Sequence, residues 1–180
     1  MANKDDSDTD DYSKPAAKRG DAREKSSNEP AKSTPALREE LEKAAEGLSH
    51  TSESDSPFRY FTLPVMTEIA PSAEGFLNCL GLSIMCLEDL NLQANQLIEE
   101  TPFDGFFPDL EALAMYAGTD ASDPEVVAEN ERFRNLEEVI KRRLRDVKVF
   151  RVGKVEVHCY VAGLDESGAF AGLKTIAVET

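Results

Sequence analysis

The chain has 180 residues and a formal net charge of −15, a length that suits one domain with an appended tail. Its three cysteines, Cys79, Cys86 and Cys159, include no CxxC pair and no neighbouring histidine cluster, which argues against a disulfide framework or a zinc site and favours reduced, buried thiols. The start, Met1 to Asp11, lacks the apolar core of a signal peptide, and the most apolar run, Phe76 to Leu87, is too short to span a bilayer, so a soluble, cytoplasmic protein with no membrane association is expected.

Residues 1–35 hold 7 Lys+Arg against 8 Asp+Glu and contain no Leu, Ile, Val or Phe. A segment of this kind buries too little apolar surface to offset its ordering entropy, so it is read as a disordered tail preceding a domain over 36–180. The charge is uneven within that domain. Residues 36–131 carry 3 cations against 20 anions, whereas 132–180 carry 10 against 7. Such a dipolar, acidic surface repels nucleic acid and attracts a basic partner by long-range steering. On composition alone the plainer reading, that acidity keeps the chain soluble, comes first.

Order is expected from Pro35, where Ser33 or Thr34 can cap a helix carrying Leu37, Leu41, Ala44, Ala45 and Leu48 at helical spacing, with Gly47 as its stop. His50 to Pro57 has turn chemistry throughout, and Phe58 to Leu63 reads as a strand ended by Pro64. Between 65 and 118 helix and strand patterns compete. Pro102 to Pro108 is a loop with three aromatics, better read as anchors that pin the loop to the core than as an exposed contact. Ser122-Asp123-Pro124-Glu125 reads as a capping box with Ser122 as the cap, followed by Val126, Phe133, Leu136, Val139, Ile140 and Leu144 on one helical face. The basic run Lys141, Arg142, Arg143 and Arg145 suits a solvated helix C-terminus rather than a phosphate patch.

Three strands follow, Val147 to Val152, Lys154 to Ala162 and Phe170 to Val178. The second places Val155, Val157, Cys159 and Val161 on one face and Glu156, His158 and Tyr160 on the other. Gly153 marks a hairpin and Asp165 to Gly168 the next turn. Helices flanking antiparallel strands make an α+β domain.

No catalytic constellation is complete. His50 sits near Ser52 and Ser54 but has no orienting third group or oxyanion motif, and His158 lies on the more polar face of a strand. Glu53 and Asp55 in a Ser-rich turn are commonly turn formers. Neither a glycine-rich phosphate loop nor an HExxH motif is present, so no catalytic residue and no cofactor is expected, and a non-enzymatic protein is the stronger class.

Two blocks are less generic. Leu37 to Phe58 reads LREELEKAAEGLSHTSESDSPF, and the final stretch from Arg132 reads RFRNLEEVIKRRL followed by VFRVGKVEVHCYVAGLDESGAFAGLKTIAVET. Together they resemble the nuclease A inhibitor family, whose members carry a helix and an SES(D/E)xPF loop near the start and close on a VYR(L/V)G-type hairpin and a strand ending in VET. The resemblance implies a compact three-layer α-β-α sandwich around a small, mostly antiparallel sheet, monomeric when free. It also implies a stoichiometric inhibitor that blocks the active-site cleft of a non-specific DNA/RNA endonuclease of the ββα-metal type. Carried onto this chain, the implied partner-binding residues are Ser52, Glu53, Ser54 and Asp55 in the loop and Glu179 and Thr180 at the end. Glu53 would lie at the nuclease site, and Thr180 would engage the metal of the bound enzyme. The segment 65–118 departs from the family pattern, and the chain has no Trp where family members use an aromatic contact. Phe106, Phe107 or Tyr116 could supply one, and nothing in their spacing selects among them. A binding module of the same fold whose partner is not a nuclease is the alternative reading.

Overall fold

The computed structural model describes residues 35–66, 68–81 and 98–179. In chain order the elements are α1 (Pro35–Ala44), β1 (Ser49–His50), β2 (Ser56–Pro57), β3 (Arg59–Met66), α2 (Ala73–Cys79) and β4 (Ile98–Pro102). Then come α3 (Leu110–Ala117), α4 (Pro124–Arg143), β5 (Arg145–Val152), β6 (Glu156–Leu164) and β7 (Ala169–Val178). Strands β3-β7-β6-β5-β4 form one five-stranded antiparallel sheet, and β1 and β2 pair as a separate short hairpin. The fold is α+β.

Alternation along the central strands sorts side chains to two buried faces. Val149, Val161, Ala171 and Leu173 face Leu37 and Leu41 of α1, Leu113 of α3, and Phe133, Leu136 and Ile140 of α4. On the other face Phe150, Ala162, Leu164 and Phe170 pack against Phe76 and Leu77 of α2. Phe76 stacks on Phe150 with ring centroids 4.3 Å apart. Each such fully buried Phe or Leu contributes about 1.5–3 kcal/mol of transfer free energy. The described helices therefore lie on both faces of the sheet, which is the three-layer arrangement.

Leu37 and Leu41 are buried at i and i+4, and Gly47 (φ +69°) turns the chain after α1. Arg132 of α4 donates to the Glu46 carbonyl at 2.6 Å, closing the frayed end of α1. Ser33 and Thr34, the expected caps, lie outside the described residues, as does the tail up to residue 34. The cap of α4 is Asp123 rather than Ser122: Asp123 Oδ1 accepts from the Glu125 amide at 2.9 Å, while the Ser122 hydroxyl donates to Asp120 Oδ1 at 2.7 Å. Either side chain can serve as a cap, and the carboxylate next to Pro124 wins by its reach and its charge at the helix N-terminus.

Strand β3 runs through Pro64 to Met66, beyond the expected end. It is an edge strand paired only with β7, and its register shifts between Leu63 and Met66, where a missing N–H is tolerated. In β6 the ladder begins at Glu156, so Val155 stands outside it and is exposed. The α4 basic run is tied down rather than merely solvated. Lys141 pairs with Glu137 at 2.7 Å and Asp104 at 2.9 Å, and Arg142 and Arg143 both engage Glu40 of α1. Cys159 is buried, Cys79 only half-buried, and Cys86 lies outside the described residues. Burial pushes both described thiols above their ordinary pKa.

Candidate functional site

The site grows from a mismatch in strand length. Strand β3 meets β7 first at the pair Arg59–Lys174, which leaves the outer edge of β7 from Thr175 to Val178 without β3. The β1–β2 hairpin covers it. Thr175 Oγ1 donates to the Ser56 carbonyl at 3.0 Å, the Val178 amide donates to Ser52 Oγ at 3.0 Å, and the Glu53 amide donates to the Val178 carbonyl at 3.5 Å. The loop 51–55 and the end of β7, more than 120 residues apart in sequence, are thus hydrogen-bonded to each other. Sequence reasoning nominated both segments, and the fold places them side by side.

Within the loop Ser52 is the staple. Besides accepting from Val178, its hydroxyl donates to the Ser54 carbonyl at 2.9 Å, and the Ser54 amide points back to it at 3.4 Å. Glu53, Ser54 and Asp55 are exposed. At the other segment Glu179 continues the ladder past β7 by donating its amide to the Val155 carbonyl at 2.9 Å. Its carboxylate takes a hydrogen bond from Arg151 Nη2. Thr180 lies outside the described residues.

Arg151 carried no role in the sequence reading beyond its place in the VFRVG stretch. Register places it in a cross-strand row with Glu99 of β4 and Cys159 of β6, on the face away from α2. Its side chain is only 28 % exposed, and its guanidinium has Glu99 at 3.7 Å as well as Glu179. Burial works against its charge, and the hydrogen bond and charge of Glu179 more than offset that, so its pKa is raised. His50 lies beside this pair, its ring stacked parallel on Phe106 at 5.3 Å. Burial, reinforced by the positive charge of Arg151 and partly opposed by Glu179, lowers the His50 pKa, so the imidazole is neutral at pH 7.

A family model described as nuclease A inhibitor-like protein matches residues 35–180, the whole of the described fold. The chain belongs to the nuclease A inhibitor-like family. No curated protein matches the sequence. Family membership indicates a nuclease-inhibitor role in general, with a nuclease as the kind of partner, and points to an inhibitor rather than an enzyme. No described helix is long and apolar enough to cross a membrane, and no group of His, Cys, Asp or Glu among the described residues is arranged to hold a metal ion.

Within this inhibitor-like fold the histidines do not form a catalytic unit. His158 pairs in register with Val152 and Ile176 and projects to the α2 side of the sheet, opposite Arg151 and its neighbour His50. There its Nε2 stands 3.3 Å from Glu156. Among the described residues His50 has no hydrogen-bonded carboxylate to orient it, which a general base requires.

The three aromatics between 102 and 108 anchor their loop, as expected. Phe103 is buried, and Phe106 and Phe107 pack on Phe58, Phe133 and the Val157–Cys159–Ala177 patch. Their outer edges, with His50, Thr51, Asp109 and Tyr116, line an open hollow of about 350 Å³ beside the 51–55 loop. Tyr116 is 54 % exposed there. Of the three aromatics that spacing could not separate, Tyr116 is the one turned outward.

Proposed function

We propose that the protein is a stoichiometric inhibitor of a metal-dependent, non-specific endonuclease of the ββα-metal type, and that it fills the active-site cleft of that enzyme with oxygen ligands. The observation that carries this reading is the hydrogen-bonded junction of Ser52 and Glu53 with Val178, which sets an exposed loop carboxylate next to the approach to Thr180. A nuclease cleft is a basic trough holding a divalent cation and shaped for phosphate. Hard cations prefer oxygen ligands, and a carboxylate reproduces the charge and acceptor geometry of a phosphate oxygen. Glu53 supplies that carboxylate and Thr180 a further oxygen for the nuclease's own metal.

Rigidity favours binding, because the loop and the strand end are ordered before the encounter and little conformational freedom is lost on docking. Asp55 adds negative charge beside Glu53, and the excess of anions over residues 36–131 steers a basic partner toward it. The hollow beside the loop presents Tyr116 as the aromatic contact at the rim.

The test is titration of a purified ββα-metal endonuclease with the intact protein, alongside Glu53→Ala and Thr180→Ala. Inhibition is expected near one-to-one stoichiometry, weakened roughly tenfold or more in Glu53→Ala, where a charged hydrogen-bond partner is lost, and by several-fold in Thr180→Ala, where a neutral one is lost. Association is expected to slow as salt rises. Failure to inhibit any such enzyme would overturn the proposal and leave a module of this fold with a different partner.

A further inference from the structure

The regular ladder of β7 ends at Val178, and just beyond it the Glu179 amide donates to the Val155 carbonyl at 2.9 Å. A strand end of this kind ordinarily frays. Here a side chain from two strands away reaches it: Arg151, on β5, hydrogen-bonds to the Glu179 carboxylate. We propose that Arg151 is a positioning residue that holds Glu179, the residue through which the chain reaches Thr180; the inference rests on the inhibitory reading above.

Arg151 is suited to the task because its own base is rigid. Strand β5 is paired on both sides, with β4 and β6, and Arg151 stands directly between Glu99 and Cys159. The surface beneath its arm is the apolar patch Val157, Cys159 and Ala177, against which Phe106 packs. An ion pair over an apolar floor is screened less than one at an open rim. Glu99, at 3.7 Å, holds the other side of the guanidinium. From the opposite edge the Ser52 hydroxyl takes the Val178 amide at 3.0 Å. The last residues of the strand are therefore gripped from both sides. Glu179 in this arrangement is a link in the support of the terminus rather than a ligand offered to a partner. Leaving one such residue free would weaken binding by roughly tenfold, the size of the backbone entropy then lost on docking.

The experiment has two arms, on Arg151→Ala and, as a second way of cutting the same link, Glu179→Ala. The first arm needs no nuclease: heteronuclear NOE values are measured at the amides of Glu179 and Thr180, with Val149 and Val161 as core controls. Both variants are expected to lower the NOE at 179 and 180 and leave the controls unchanged. The second arm measures inhibition by Arg151→Ala in the native and in the Thr180→Ala background. A positioning role predicts about tenfold weaker inhibition in the first and little further loss in the second, because the group being positioned is already gone. A merely structural strut would add its full effect in both. Unchanged NOE values, or full additivity with Thr180→Ala, would overturn the proposal. Lowered NOE values with no inhibition by the native protein would sustain the positioning and sink the inhibitory reading instead.

Discussion

Replacing Ser52 by Ala removes one oxygen and, with it, one of the hydrogen bonds that join the loop to the end of β7. In the native protein that oxygen accepts from Val178 at 3.0 Å and links to both the amide and the carbonyl of Ser54. The Ser54 contacts sit in an exposed turn where water substitutes, so their loss contributes little. The Val178 amide is half-buried, and an amide left without its acceptor costs about 1–3 kcal/mol when fully buried. Discounted for partial exposure, Ser52→Ala should destabilise the protein by about 1–2 kcal/mol. With a urea m value of about 1–3 kcal/mol/M, the midpoint then falls by roughly half to one molar with the slope unchanged. Amide hydrogen exchange at Val178 should accelerate roughly tenfold, since about 1.4 kcal/mol corresponds to a factor of ten. Urea unfolding followed by circular dichroism and exchange read by NMR measure the two effects. A native midpoint together with native protection at Val178 would refute the claim that this hydroxyl joins loop and strand.

The lowered pKa of His50 makes stability depend on pH with a definite sign. The unfolded chain binds its proton near pH 6.5 and the folded chain only below that, so the contribution is complete above about 6.5 and is lost as pH falls through the folded value. The stability difference between native protein and His50→Gln should therefore slope by at most about 1.4 kcal/mol per pH unit below 6.5 and flatten above it; a difference independent of pH would contradict the burial of His50 against Phe106 and Arg151. Phe76→Ala, which empties a fully buried position stacked on Phe150, should cost about 3–5 kcal/mol in urea unfolding. Tyr116→Ala should stay within about 0.5 kcal/mol of native stability and yet weaken inhibition, and the reverse pattern would remove Tyr116 from the contact surface. Gly153 has φ +118°, and a Cβ there would overlap the Glu156 carbonyl oxygen, so Gly153→Ala should destabilise the β5–β6 hairpin by more than about 1 kcal/mol in the same unfolding assay.

Where a single element supplies its own signal, that element was legible in advance. The apolar stripe from Val126 to Leu144 repeats with the helical period; all six of its residues are buried, five in α4 and Leu144 at its C-cap. Strands β5, β6 and β7 announced themselves by alternation and by Gly153, and only their ends moved, by a few residues. The α4 cap passed from Ser122 to Asp123 because two adjacent side chains can both serve and only the backbone geometry chooses. The stretch 65–118 resisted because its described elements are short. Among those described there, α2 has seven residues and β4 five, too few for a period to stand out.

The site divides along the same line. The family resemblance carried by the SESD and VET motifs pointed to Ser52, Glu53, Ser54, Asp55, Glu179 and Thr180. Their adjacency is tertiary: it arises because β3 begins only at Arg59, opposite Lys174, and leaves the end of β7 open to the β1–β2 hairpin. The role of Arg151 was invisible for the same reason. An isolated arginine in a strand has no local signature, and its reach to Glu179 exists only once β5, β6 and β7 stand in register. The aromatic choice followed suit, because exposure of Tyr116 and burial of Phe103 depend on which neighbours the fold brings over them. Sequence by itself determined the α+β class and the helical and strand faces, consequences of short-range periodicity, while the family resemblance singled out the two segments proposed to bind a partner. Tertiary structure alone decided which of those residues meet, because hydrogen bonds and ion pairs between strands far apart in the chain depend on register and strand length, which no local pattern encodes.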